Sequence, residues 1–262
     1  MSGARQIADC AVVSPLLSRL AAERATGALL RDRGTLFLEN GRIVHAESPA
    51  TPGLDVLLTT GGGLAPERWR EAVDRAGARR QVARFLVDSG GLADGELEIC
   101  HLAAMYDAAF FALSPGSGPS RFRRGATHWM GQVRSVPAEA VERETRRRRE
   151  LLDAVWPYPA LDAAPVVPRP AAPGQTVTTR QRILLRKADG LRTPAQLAWV
   201  LGRPAFHTLL DVRRLAAAGL VETPHAPAPR PVAPPLPDWV TQAQSPDVAL
   251  LRRLRDALEA SL

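Results

Sequence analysis

The sequence predicts an α+β fold: a small antiparallel sheet packed with several helices, then a small, mostly α winged-helix-like module, proline-rich linkers and a C-terminal helix. Three observations carry this expectation. After Gly27 the apolar residues change from helical spacing to strand-like runs, and after Gly53 they change back. Asn40-Gly41 separates two of those runs, and Asn-Gly is the strongest short hairpin signal because both turn residues must accept φ > 0. Six prolines in residues 157–173 and seven in 224–237 punctuate the rest of the chain. Proline lacks an amide donor and fixes φ, so such runs are expected to be semi-rigid spacers. The expected layout is 1–156, a linker at 157–175, a module at 176–223, a linker at 224–244 and an amphipathic helix at 245–262.

Composition narrows the class. Hydrophobic residues make up 45% of the 262 residues, enough to build cores. Cys10 and Cys100 lie far apart, which is neither a disulfide framework nor a zinc cluster and suits a reducing cytoplasm. No window reaches the roughly 18 uncharged apolar residues that span a bilayer, and residues 1–10 lack an export signal. A cytoplasmic protein without a membrane partner is expected. The net charge of +7 is unevenly placed. Residues 1–156 carry 21 Arg against 19 acids, whereas 176–223 carry eight basic residues against three. Lys187 is the only lysine, so the arginine bias reads first as genome composition.

In chain order, Ser14-Pro15 is a helix start, with cap and proline at the first position. Leu16, Leu17 and Leu20 then line one face. Strands GALLRD, GTLFLEN and GRIVHAES follow; in a simple hairpin register Leu38 faces Ile43 and Leu36 faces His45, with Phe37 and Val44 on the other face. Apolar side chains on both faces suggest a sheet between helices. Helices are predicted near 53–60, 66–76, 79–89 and 94–113, with a returning strand around Arg121–Arg123. Gly62-Gly63-Leu64-Ala65 recurs as Gly90-Gly91-Leu92-Ala93, and each copy reads as a helix end with a buried leucine before a new start.

The stretch TGALLRDRGTLFLENGRIVHAES, continuing into GLDVLL, resembles the PATAN domain family, named for the N-terminal domain of PatA-type response regulators. The matching positions are Thr26, Gly27, Leu29, Asn40, Gly41, Ile43, Val44, His45, Ala46 and Gly53, and the likeness covers about 25–135. It implies a bacterial signalling module that contacts a protein partner, with no catalytic residues to carry over. The 28-residue repeat is also similar to the tandem nucleotide-binding motif of secretion-ATPase N-terminal domains, which bind cyclic di-GMP. Here Gly53-Leu54-Asp55 and Gln81-Val82-Ala83 stand where that motif has its opening triplet, and Ala76 and Ala104 replace its glutamines.

Little asks for catalysis. Gly61-Gly62-Gly63 lacks the GxxxxGK[ST] phosphate pattern and reads as a helix C-cap. Cys100 and His101 are adjacent on a helix, so they point about 100° apart and form no ligand pair. His45 reads as structural. No nucleophile elbow or HExxH pattern occurs. No enzyme activity, cofactor or metal is expected. Arg146–Arg149 sits in a helix where Glu139/Arg143, Glu142/Arg146 and Glu144/Arg148 are spaced i,i+4, which predicts a solvated, self-paired surface.

Residues 176–223 read as three helices and a strand. Thr179 caps the first, Thr193-Pro194 opens the second, which ends at Gly202, and Pro204 opens the third, which ends at Gly219. Leu220-Val221-Glu222 is the following strand. "ILLRKADGLRTPAQLAWVLG…LLDVRRLAAAGLVE" resembles the winged-helix, helix-turn-helix modules of bacterial transcription regulators, whose last helix reads DNA. The candidate DNA contacts are Arg180, Arg182, Arg186, Arg192, Arg203, His207, Thr208, Arg213 and Arg214, with Asp211 on the same exposed face opposing phosphate. A DNA-binding regulator with an N-terminal input module is one expectation. An adaptor using both modules for protein contacts is the other. In the last segment, Val248, Leu251, Leu254, Leu258 and Leu262 form a stripe after Ser245-Pro246. Such a helix is marginal alone, so it packs in cis, forms a homodimer or binds another protein.

Overall fold

The computed structural model describes residues 15–61, 63–115, 119–172 and 175–223. The linker and helix expected at 224–262 lie outside them. Helix α1 (Pro15–Ala22) buries Leu17 and Leu20. Strands β1 (Gly27–Arg31), β2 (Gly34–Glu39) and β3 (Arg42–Glu47) form an antiparallel meander. The β2–β3 turn has Asn40 at φ 49° and Gly41 at φ 76°, both positive as a type I′ turn requires. The Asn40 N–H donates to the Thr26 hydroxyl at 3.0 Å and the Gly41 N–H to the Ala25 carbonyl at 2.9 Å, so the turn is pinned to the α1–β1 connection. Strand β4 (Arg121–Arg124) joins β1, and β5 (Val136–Pro137) joins β3, giving the order β4-β1-β2-β3-β5.

The register differs from the simple hairpin in one respect. Leu38 pairs with Ile43, but the register shifts between Phe37 and Leu38, so Phe37 pairs with His45 and Leu36 with Ala46. One irregular step in a ladder re-aims the side chains beyond it. It brings the Phe37 ring against the His45 and His128 rings.

Helices α2 (Leu54–Thr60), α3 (Pro66–Ala76), α4 (Val82–Asp88) and α5 (Asp94–Ala112) follow. The repeat is visible in the backbone: Leu64 N–H donates to the Leu58 carbonyl at 3.1 Å and Leu92 N–H to the Leu86 carbonyl at 3.2 Å. Each bond reaches six residues back and closes a helix end while its leucine enters the core. Helix α5 is buried on most sides and carries Ala104, Ala108, Ala109 and Ala112, small enough for the sheet to approach closely. One core lies among α1, the sheet, α5 and α6 (Ala138–Val155), with Leu17, Leu29, Leu36, Leu38, Ile43, Met105 and Val141 in it; a second lies under α2–α4.

Helices α7 (Thr179–Lys187), α8 (Pro194–Leu201) and α9 (Ala205–Ala217) make the helical module. The first cap is Thr178, one residue earlier than expected, in a capping box with Gln181; Thr193 and Gln196 repeat the device on α8. Gly202 ends α8 at φ 58°, and a Cβ there would lie 2.3 Å from the Thr60 Cβ, so this turn packs tightly on the end of α2.

The segment at 157–172 is not the free spacer its prolines suggest. Leu161 and Val166 are fully buried in one core with Leu184, Leu197, Val212 and Leu215. Pro168 pairs antiparallel with Val221, flanked by Arg169 N–H to the Leu220 carbonyl at 2.8 Å and Glu222 N–H to the Val167 carbonyl at 2.9 Å. Proline withholds only its own N–H, and the extended backbone it favours suits an edge strand. The described residues therefore belong to one compact unit.

Helix α9 lies against α5 and α6 through Phe110, Leu152, Phe206, Leu209 and Leu210. The fully buried Asp107 on α5 accepts from the Ala205 N–H at 2.6 Å and the Phe206 N–H at 2.8 Å, which caps α9 from another element. Arg148 corrects the expectation of a solvated α6. It is 8% exposed, pairs with Glu144 at 2.9 Å, stands 3.9 Å from Asp107 and covers the Phe206 ring at 4.6 Å.

A Gly41→Val substitution tests the turn. A β-branched residue is strained at positive φ, and its Cβ would meet the Ala21 carbonyl oxygen at 2.4 Å. A loss on the order of 2 kcal/mol is expected. An unchanged melting temperature of the full chain would contradict the turn geometry.

Candidate functional site

Among the described residues, three histidines meet beside the sheet: His45 from β3, His101 from α5 and His128 from the segment between β4 and β5. All are buried. The His45 and His128 rings stack with centroids 3.7 Å apart and planes 25° apart, and His45 Nδ1 lies 3.2 Å from His101 Nε2. The Met130 N–H donates to His128 Nδ1 at 3.2 Å, which leaves the proton of neutral His128 on Nε2, 2.8 Å from Glu47 Oε1. The loop bearing His128 is held by Ala83 N–H to the Met130 carbonyl at 3.1 Å and turns at Gly131, whose φ is 82° and where an added Cβ would lie 2.3 Å from the Arg80 carbonyl oxygen.

His45, Glu47 and His128 offer ligand atoms within 4.8 Å of one another. Their arrangement does not suit a metal. Rings stacked in near-parallel planes hold their in-plane lone pairs side by side, not convergent on a point. The Met130 amide also makes His128 Nε2 a proton donor to Glu47, and an imidazole ligates only through an unprotonated nitrogen. The group reads instead as a hydrogen-bonded, stacked wall.

That wall borders a cavity of about 720 Å³. His45, Ala46 and Glu47 of β3 and Met130 form one side, with the Ser48–Asp55 turn beside them; Trp69 of α3, Trp129 and Trp199 of α8 also line it. Trp69 and Trp129 meet edge to face at 6.1 Å. Trp129 and Trp199 are 39% and 42% exposed. The lining thus draws on both the α+β part and the helical module. Burial holds His45 well below the usual imidazole range, with the His128 and His101 rings adding to the effect. Burial also lowers His101 to about 4, with the nearby Val44 carbonyl working against it. The cavity wall is therefore uncharged at His45 at neutral pH.

The candidate DNA contacts are only partly brought together. Arg180, Arg203 and His207 line one groove between the N-terminal ends of α7 and α9. Arg182 and Arg186 are exposed on α7, and Arg192 is tied to Asp189 at 2.8 Å on the α7–α8 loop. Arg214 is half exposed near Asp211. Two of the nine are not available, which corrects the exposed-face expectation. Thr208 is buried and donates to the Pro204 carbonyl at 3.2 Å. Arg213 is 3% exposed, with bonds of 2.8 and 2.6 Å to Asp162, 3.3 Å to Asp153 and 2.7 Å to the Trp156 carbonyl. Asp211, expected at the centre of a reading face, is buried and accepts from Arg180 at 2.5 Å. Packing thus takes Thr208, Asp211 and Arg213 from the polar side of α9 and leaves His207 and Arg214 exposed.

Sequence reasoning missed the histidine stack and the cavity. His45, His101 and His128 have no local spacing in common, and the only trace is that three tryptophans from distant segments converge. Among the described residues no helix is long and apolar enough to cross a membrane. Compared with known proteins, the chain matches no family model, no curated protein and no solved structure.

The depressed histidines predict an acid sensitivity of known sign. A histidine neutral in the folded chain contributes stability that is complete above the unfolded value of about 6.5 and is lost as pH falls toward the folded value. For His101, with its folded value at about 4, the loss reaches roughly 3 kcal/mol. Asp107 acts oppositely. Burial raises it to about 6, against the two α9 amides and Arg148, so its protonation favours the folded chain as pH falls below 6. The difference in unfolding free energy between wild type and His101→Gln isolates the histidine. It should shift against the wild type by up to that amount between pH 7 and pH 4. A pH-independent difference would mean that His101 titrates normally.

Proposed function

We propose that the protein is a non-catalytic, DNA-binding regulator in which the α+β part receives a signal and the helical module carries the output. The observation that carries this reading is the groove where Arg180, Arg203 and His207 converge, beside the exposed Arg182 and Arg186 of α7. Phosphate oxygens are recognised by clustered guanidinium groups, and affinity then depends on released counterions. With Thr208 and Arg213 buried, contact runs along α7 and the N-terminal end of α9 and not along the length of α9. This arrangement favours backbone contact over base reading, so moderate sequence preference is expected.

A second reading is an adaptor whose basic groove accepts an acidic protein surface. The burial of α9 favours it, since a helix docked on its own chain cannot enter a major groove without release. The two readings differ in salt dependence and in ligand.

Anisotropy of labelled duplex DNA with the full chain tests the proposal. Log affinity should fall with log salt at about −0.9 per neutralised phosphate. Arg182→Ala together with Arg186→Ala should reduce that slope by about two, whereas Arg147→Ala, whose guanidinium is paired with Glu144 at 2.8 Å, should leave it unchanged. Equal effects from both sets, or binding without salt dependence, would remove the DNA reading. Retained binding to an acidic polypeptide in that case would favour the adaptor.

A further inference from the structure

The 720 Å³ cavity is unusual in what surrounds it. Among the described residues three tryptophans line it, from three separate segments, and two of them are more than one-third exposed. Core packing does not account for that exposure, because a tryptophan recruited for burial would be covered. The lining also includes the acidic residues Asp32, Glu47 and Asp55, with Arg31 as the one arginine among the described residues there. An acidic lining is notable on a chain of net charge +7.

The protein's own cations, among the described residues, leave these rings uncovered. Among the described residues, guanidinium groups sit over Tyr106, Phe206 and Phe110, and none over Trp69, Trp129 or Trp199. Indole has the most favourable face for a cation, and the attraction grows where water is excluded. His45, held neutral at the inner wall, adds a further aromatic surface without opposing charge. Cavities of this size that join apolar walls to a few placed polar groups are the usual form of a small-molecule site.

We propose that this cavity binds a small organic cation, an alkylated ammonium with an apolar body, its charge against the tryptophan faces and the Glu47 and Asp55 carboxylates. A sugar phosphate or nucleotide would meet carboxylates where it needs donors. A purely apolar ligand would take water from the Glu47 and Asp55 carboxylates without supplying a counter-charge, at a cost. Trp199 lies on α8, so occupancy would be felt directly by the helical module. The inference does not depend on DNA binding, and either can fail while the other stands.

The test uses the full chain and two cationic probes of different size, choline and benzyltrimethylammonium, with dimethylbutanol as the uncharged carbon isostere of choline. Tryptophan fluorescence and titration calorimetry should show saturable binding of at least one cation. Choline should bind about 10-fold or more tightly than dimethylbutanol. Trp199→Leu should weaken cation binding by about 10-fold and leave dimethylbutanol nearly unchanged. Should that variant melt far below wild type, Trp129→Leu, also exposed where it lines the cavity, takes its place. Equal affinity for choline and its isostere would overturn the cation assignment. So would saturation by neither cation, or cation binding that both tryptophan variants leave intact.

Discussion

Asp107 joins the two parts of this protein. It is an aspartate in a helix that is otherwise mostly small and apolar, and it is almost completely removed from water. A carboxylate there is tolerable only because its charge meets two amide donors at the open end of α9, with Arg148 alongside. The same two amides would otherwise be orphaned at a buried helix start. Each side of the junction thus needs the other. Removal of the carboxylate would leave buried donors unsatisfied, and removal of α9 would leave a buried charge without compensation. The apolar seam of Phe110, Leu152, Phe206 and Leu209 then packs around a polar contact that sets its register.

Two consequences follow for function. Of the residues that a helix-turn-helix module would present to DNA from its last helix, Thr208, Asp211 and Arg213 are turned inward, and Arg213 and Asp211 become structural ion-pair members. Arg182 and Arg186 on α7 and Arg214 on α9 stay exposed. With α9 fixed on α5 and α6, α8 is carried to the cavity, where Trp199 faces residues from β3 and α3. The cavity wall is thus shared by the α+β part and the helical module.

Local chemistry was legible in the sequence wherever a few neighbouring residues decide the outcome. Asn40-Gly41 announced its turn, the paired GGLA motifs their helix ends, and Thr193-Pro194 its cap, because each is settled by backbone geometry over two to six residues. The irregular step at Phe37 was not legible, since it depends on how β2 meets β3 and then on the rings beyond. Proline density hid the packing of Leu161 and Val166, whose burial is decided by distant helices. Asp107 and Arg148 looked like ordinary helix residues, and nothing in the spacing of α9 showed that Asp211 and Arg213 would be covered. The histidine stack joins residues up to 83 apart, from His45 to His128, the cavity lining runs from Arg31 to Trp199, and no periodicity connects either set.

The central claim is that the α+β part and the helical module form one cooperative unit held at Asp107 and the α9 seam. Differential scanning calorimetry of the full chain tests it most directly. The account predicts a single transition over the described residues, with equal calorimetric and van't Hoff enthalpies. Two separated transitions, with the melting of the helical module unmoved by Asp107→Ala, would contradict it.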